Sequence, residues 1–212
     1  MIAVSGIEEV LFELANALRT PVFVAAIVAL AVLLIDVGAF FVELVRRGGS
    51  DGGERVAQAT ANARAALESR NLSEAERALM PLASSAQMAD TLSTLVAQHG
   101  QPGADERRAK ALADFDLRSL RKLERSRMLV RFGPAIGLMG TLIPLSPALE
   151  GLADGNVALL SDNLRAAFSV TVVGLLIGAV AFAISLVRDR LYAQDLSDLE
   201  YVVAALEPQE QT

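Results

Sequence analysis

Two long uncharged stretches constrain this sequence more than any other feature. Residues 132–149 are eighteen residues without a charge, and residues 166–187 are twenty-two. Because about 20 helical residues cross the roughly 30 Å hydrocarbon core of a bilayer, each stretch predicts a transmembrane helix. A third apolar stretch, 21–45, is long enough only if Asp36 is tolerated within it; the alternative is a buried soluble helix of about 14 residues. The sequence therefore predicts an all-α membrane protein with three transmembrane helices.

The basic residues are distributed unevenly around these stretches. Three membrane crossings put 46–131 and the C-terminal tail on one side, which then carries seventeen of the nineteen Lys and Arg residues. Only Arg19 and Arg165 fall on the other side. Because cytoplasmic loops carry an excess of Lys and Arg, we expect the N-terminus outside and the C-terminus in the cytoplasm, in the inner (plasma) membrane of the cell.

The rest of the chain is predicted to be helical. Helical patterns cover 54–70 and 74–98, and nothing interrupts the pattern that starts at Asp105 before Pro134. The second and third transmembrane helices should therefore extend into a cytoplasmic helical bundle. Residues 1–20 are predicted to form an amphipathic helix on the outer membrane surface; the alternative is a frayed helical extension. The segments that follow are transmembrane helix 1 (21–45), a cytoplasmic helical region (46–127), transmembrane helix 2 (128–149), a short outside loop (150–165), transmembrane helix 3 (166–187) and a cytoplasmic C-terminal helix and tail (188–212).

The composition excludes several chemistries. The chain has no Cys, which removes disulfides, thiolate catalysis and Cys-ligated metals, and its only histidine, His99, leaves no His-based metal site. No serine–histidine, paired-aspartate or metal-ligand pattern is present, so we expect neither an enzyme nor a bound metal or cofactor. The net charge of −6 argues against nucleic-acid binding, which requires a basic surface.

Small residues recur at helical spacing in the second and third predicted spans. In lipid the hydrophobic effect does not drive helices together, so small residues that permit close backbone approach favour their packing. Two such faces predict a tight hairpin and repetition around a ring, with the first span facing lipid. The second span contributes Gly133, Gly137, Gly140, Thr141 and Pro144, and the third contributes Ala167, Thr171, Gly174, Gly178, Ala181 and Ser185.

The two threonines on these faces lie at similar depth. Thr141 is about eight residues and Thr171 about five residues from the outer end of its span, so their depths differ by about 5 Å. Hydroxyl groups at that depth can hold water or relay a hydrogen bond, and Pro144 cannot donate to the carbonyl of Gly140 beside Thr141. The alternative is that each hydroxyl bonds a carbonyl four residues earlier in its own helix.

A path for protons across a membrane needs a group that gains and loses a proton. The second and third spans contain no such group. Asp36 in the first span is the internal candidate. In the alternative interpretation, Asp36 and Glu43 both lie near the inner interface, where they reach water or pair with a cytoplasmic arginine. If that holds, another protein must supply the carboxylate.

Two segments carry a family resemblance. Gly137-Leu-Met-Gly-Thr141, followed by Thr171-Val-Val-Gly-Leu-Leu-Ile-Gly178, resembles the MotA/TolQ/ExbB proton-channel family. The resemblance implies a pentameric ring of this chain around a dimer of a single-span partner of the ExbD/TolR/MotB type, which carries a membrane Asp. It also implies that the two threonines line the central pore. Where some relatives carry an acidic residue at the membrane entry of the third span, this chain has Ala166.

The sequence and the resemblance together predict a stator-like proton-channel subunit that couples proton flow to mechanical work on its partner. The alternative is a structural or scaffolding membrane protein whose helices only oligomerise.

Overall fold

The computed structural model describes residues 2–47 and 52–206. Within these residues the chain forms seven α-helices, one 3₁₀-helix and no strand. The segments 48–51 and 207–212, which belong to the predicted cytoplasmic region and tail, lie outside the described residues. The elements are α1 (Ile2–Ala17), α2 (Arg19–Arg46), α3 (Gly52–Glu68), α4 (Leu72–Leu79), the 3₁₀-helix (Met80–Leu82), α5 (Ala86–Ala97), α6 (Ala104–Ala153) and α7 (Val157–Leu206).

Three helical segments are long and apolar enough to cross a membrane: Glu9–Arg46, Ala104–Ala153 and Val157–Leu206. The chain is therefore an all-α, multi-pass membrane protein. Helix α6 is unbroken up to Pro134, as the pattern predicts, and it continues through Pro134, Pro144 and Pro147. A transmembrane helix tolerates proline because neighbouring groups and local adjustment satisfy the freed backbone carbonyls.

The chain divides into two compact units. Unit 1 contains Met1–Gly38 and Glu124–Ser185, and unit 2 contains Ala39–Leu123 and Leu186–Thr212. The core of unit 1 joins α2, α6 and α7 through residues of modest size. Its buried members are Val22, Ala26, Ala29, Leu33, Leu129, Ile136, Val170, Ile177 and Ala181.

The core of unit 2 is built from larger side chains. Phe115 of α6 is 1% exposed, and Leu92 of α5 and Leu199 of α7 are fully buried. Not every large apolar side chain of α6 in this unit is buried, since Leu120 is 39% exposed. The other members of this core include Val56, Ala63, Leu79, Met88, Leu95, Val202 and Leu206.

The single helix predicted over 74–98 is wrong. The structure has α4 and α5 instead, separated by the 3₁₀-helix that contains Pro81. Proline has no N–H to continue the helical ladder, and Ser85 starts α5 by accepting a hydrogen bond of 3.2 Å from the Met88 N–H. At the start of α4 the capping residue is Asn71, whose Oδ1 accepts from the Glu74 N–H.

The ends of the long helices differ from the predicted boundaries. The segment predicted as an outside loop, 150–165, is mostly helical, because α6 ends at Ala153 and α7 begins at Val157. Gly155 makes the turn with a φ of 70°. Near the N-terminus only Leu18 separates α1 from α2, and its N–H still bonds the Leu14 carbonyl at 3.1 Å. The surface position of residues 1–20 stays a prediction.

Candidate functional site

The two predicted small-residue faces meet where α6 crosses α7. A Cβ placed on Gly174 would lie 2.5 Å from the Gly133 carbonyl oxygen and 2.7 Å from the Gly137 Cα. A Cβ on Gly133 would lie 2.7 Å from the Gly174 carbonyl oxygen and 2.8 Å from the Gly178 nitrogen. Because real Cβ atoms do not approach backbone this closely, only glycine permits the crossing.

The crossing continues at neighbouring positions. A Cβ on Gly137 would lie 3.3 Å from the Thr171 Cα, one on Gly178 would lie 2.9 Å from the Pro134 ring, and one on Gly140 would collide with Val170. We call this set the glycine crossing: Gly133, Gly137, Gly140, Gly174 and Gly178. The structure therefore contains the predicted tight hairpin, whereas the lining of a pore by these residues stays a prediction.

Thr171 lies within the glycine crossing. Its hydroxyl oxygen is 3.1 Å from the Gly137 carbonyl oxygen of α6 and 3.1 Å from the Ala167 carbonyl oxygen of its own helix. A hydroxyl has one proton, so it donates to one of these carbonyls or is shared between them, and its lone pairs are left to accept. Thr171 thus has both the contact within its own helix that the alternative described and an interhelical contact that spacing alone did not predict.

Thr141 has a different environment. It is partly exposed, and its hydroxyl donates to the Leu138 carbonyl at 2.8 Å, three residues earlier in α6. This resembles the alternative of a bond within the same helix, with the acceptor one residue closer than expected. Pro144, one turn further on, is fully buried.

Asp36 is buried in unit 1. The residue is 6% exposed, and its Oδ2 accepts a hydrogen bond of 2.7 Å from the hydroxyl of Ser126, which is fully buried on α6. The carboxylate is therefore largely shielded from solvent within unit 1. Its part in ion passage stays a prediction.

A second polar contact in unit 1 ties α2 to α7. The Arg19 Nη2 donates to the Asn163 Oδ1 at 3.0 Å, and the Asn163 side-chain amide donates to the Leu159 carbonyl at 2.9 Å. Asn163 is 3% exposed. Sequence reasoning missed both Ser126 and Asn163 because their partners are 90 and 144 positions away.

Glu43 belongs to unit 2 and is paired with arginine, as the second alternative predicted. Its Oε2 lies 3.2 Å from the Arg188 Nε and accepts from the Tyr192 hydroxyl at 3.4 Å. Nearby, the Arg47 guanidinium donates hydrogen bonds to both carboxylate oxygens of Asp195, at 2.8 and 2.6 Å. These contacts form a largely buried ion-pair network that joins the end of α2 to α7 within unit 2.

Among residues 2–47 and 52–206, no group of three His, Asp or Glu side chains is placed to hold a metal ion. The polar groups at the glycine crossing are hydroxyls and carbonyls, which bind water or solvate a proton carrier but do not themselves titrate near neutral pH.

The model of the MotA/TolQ/ExbB proton channel family matches residues 80–200, more than half of the chain. The chain belongs to the MotA/TolQ/ExbB proton channel family. The matched residues of this family member contain Thr141, Thr171 and the whole glycine crossing, together with all of α5 and α6. No curated protein sequence matches the chain.

Proposed function

We propose that this MotA/TolQ/ExbB family member is the proton-conducting subunit of an energy-transducing complex in the inner membrane. It couples proton flow to mechanical work on a single-span partner of the ExbD/TolR/MotB type. The observation that carries the proposal is the Thr171 hydroxyl at the glycine crossing, 3.1 Å from a carbonyl of the neighbouring helix. That polar position lies inside two apolar stretches, 132–149 and 166–187, that contain no titratable residue.

The missing titratable group points to the partner. A carboxylate supplied by the partner's membrane Asp would meet hydroxyl and carbonyl groups near Thr141 and Thr171. These groups can solvate both the protonated and the ionised carboxyl, which avoids most of the several kcal/mol that a bare charge costs in lipid. The chain would then provide the polar path, and the partner the proton carrier.

The proposed assembly is a ring of five copies of this chain. The number five rests on the family resemblance, and the exposed apolar side chains of α7 leave a surface that lipid or another subunit must cover. Examples are Phe168, Val172, Leu175 and Leu176, each more than half exposed. The proposed orientation, with the N-terminus outside, is supported by the distribution of Lys and Arg.

Proton flux into vesicles tests the proposal. The purified chain alone should leak few protons, and co-reconstitution with a single-span partner that carries a membrane Asp should produce flux. Replacing that partner Asp with Asn should return the flux to the level of the chain alone. Robust flux through this chain without any partner would show that Asp36, Glu43 or a water wire suffices, and would refute the proposal.

Thr171→Val keeps the side-chain shape but removes the donor and acceptor. We expect it to abolish partner-dependent flux while leaving insertion and assembly intact, and Asp36→Asn to cost less. Thr60→Val is the matched control, because that buried hydroxyl bonds only the Val56 carbonyl within α3, at 2.7 Å. The opposite ranking, with Asp36 essential and both Thr141 and Thr171 dispensable, would contradict the assigned path.

A scaffolding role is the second candidate. It is favoured by the hydroxyl protons of Thr141 and Thr171, which are both directed at backbone carbonyls, as in ordinary helix packing. A scaffold would assemble into the same ring, measurable as the mass of the intact complex. It would show no proton flux with any partner, and Thr171→Val would then change nothing in the vesicle measurement.

A further inference from the structure

Three arginines of α6 in unit 1 are exposed, namely Arg125, Arg127 and Arg131. Among the residues that the structure describes, Arg125 and Arg131 make no hydrogen bond, ion pair or ring contact. Arg131 directly precedes the uncharged stretch 132–149, and Arg125 lies six residues before Arg131. Both cations therefore stand at the end of an apolar membrane span.

Two exposed apolar side chains share their helix face. Met128 is 56% and Phe132 54% exposed. At about 100° per residue, these two residues and both arginines fall within roughly 120° of the helix circumference, and the arginines are about 9 Å apart along the axis. The face thus presents two guanidinium groups beside an uncovered apolar surface. We call it the arginine face: Arg125, Met128, Arg131 and Phe132.

We propose that the arginine face binds the headgroup of an anionic phospholipid, with an acyl chain packed on Met128 and Phe132. Guanidinium groups bind phosphate through paired hydrogen bonds, and basic residues just outside a membrane span attract anionic lipids. The apolar part of the arginine face continues into the uncharged stretch 132–149. A soluble phosphate would leave this apolar surface uncovered. This proposal is independent of ion conduction.

The charge pattern of the sequence around this face favours an anion. The chain carries a net charge of −6, yet residues 118–131 contain six basic residues and one acid. That acid, Glu124, lies on the same side of α6 but further from the apolar stretch than either arginine. The arginine face is therefore net positive and complements an anionic phosphodiester, and the Glu124 carboxylate can accept from headgroup hydroxyls. Phosphatidylglycerol has both features.

Lipid binding to the detergent-purified complex tests the proposal. Native mass spectrometry would count bound lipid during titration with phosphatidylglycerol, phosphatidylcholine and phosphatidylethanolamine of equal chain length, and with soluble glycerophosphate. We expect phosphatidylglycerol to bind most tightly and glycerophosphate not to bind. Arg125→Gln and Arg131→Gln should each weaken binding about fivefold, and the double variant about 25-fold.

The matched control is the double variant Arg55→Gln/Arg70→Gln. It removes the same charge from two exposed arginines of unit 2 that have no side-chain partner among the described residues, and should leave binding unchanged. Arg125→Lys/Arg131→Lys should bind with an affinity between those of the unmodified chain and the glutamine double variant, because the charge is kept but the paired hydrogen bonds of guanidinium to phosphate are lost. The proposal is overturned if phosphatidylglycerol binds no tighter than the zwitterionic lipids, or if the glutamine double variant binds it as the unmodified chain does. A changed mass of the intact complex in that variant would instead make the face a contact between protein chains.

Discussion

At the glycine crossing of unit 1 the backbones of α6 and α7 meet directly, whereas in unit 2 large side chains stand between the helices. A Cβ on Gly174 would lie 2.5 Å from the Gly133 carbonyl oxygen, so not even a methyl group fits. In unit 2, Phe115, Leu92 and Leu199 fill the space between their helices and are at most 1% exposed.

We attribute the difference to the predicted surroundings of each region, which are lipid for unit 1 and water for unit 2. In water, burial of large apolar side chains stabilises a fold by about 25 cal/mol per Å² of apolar surface. Lipid tails offer helices no such gain, so close packing and interhelical hydrogen bonds carry the association instead. The glycine crossing should therefore be sensitive to added atoms, and the unit 2 core to lost ones.

The largest effect is expected from Phe115→Ala, which removes a buried ring from the unit 2 core. The lost burial and the remaining cavity should lower the free energy of unfolding by about 3–5 kcal/mol. Denaturant unfolding in detergent, followed by hydrogen exchange of α5 amides, would measure the loss. Leu117→Ala on the same helix is the control, because Leu117 is 49% exposed and should change little. Equal effects of the two substitutions would remove the basis of the comparison.

A smaller effect of opposite origin is expected from Gly174→Ala. The added methyl group meets backbone atoms of Gly133 and Gly137, so the helices must separate, at a cost of about 1–3 kcal/mol. Gly38→Ala on α2 is the control: its Cβ meets nothing within 4 Å, and alanine is intrinsically favoured in a helix by about 0.5–1 kcal/mol. Thermal unfolding in detergent should move down for the first variant and not for the second. Stabilisation by both would show that the crossing is looser than the structure has it.

The same contrast explains how much the sequence predicted. The spans and the glycine faces follow from local patterns of charge and residue size, which one helix displays by itself. The contacts of Asp36 with Ser126 and of Arg47 with Asp195 join residues 90 and 148 positions apart, and no local signal marks them. The break at Pro81 was missed because the alanine-rich helical pattern on both sides outweighed a single proline.

The candidate functional residues show the same difference between what a local pattern indicates and what only the structure shows. Thr171 was chosen from its position on the small-residue face, and the structure adds the Gly137 carbonyl as its interhelical acceptor. Arg125 and Arg131 were counted only as part of the basic side of the membrane. Their shared face with Met128 and Phe132 stands out only because the structure leaves all four side chains exposed and gives neither arginine a side-chain partner among the described residues.

The smallest predicted effect concerns pH, which should act on unit 2 and not on the glycine crossing. The only histidine, His99, is close to Arg108, whose Nη2 is 3.2 Å from the His99 Nδ1. Partial burial, and then the positive charge of Arg108, lower the pKa of His99 below its usual value of 6.5. The unfolded chain therefore binds this proton more readily than the folded chain does. As a result, the contribution of neutral His99 to stability is fully present above pH 6.5 and is lost progressively as the pH falls towards the lowered pKa.

His99→Gln should reduce the drop in melting temperature between pH 7.5 and pH 5.5 by no more than about 2 °C. The NMR titration of the single imidazole would measure the shift directly, since no other histidine overlaps it. A His99 pKa at or above 6.5 would contradict the prediction. An equal change with pH in the hydrogen-exchange protection factors at the glycine crossing, where no side chain titrates, would contradict it as well.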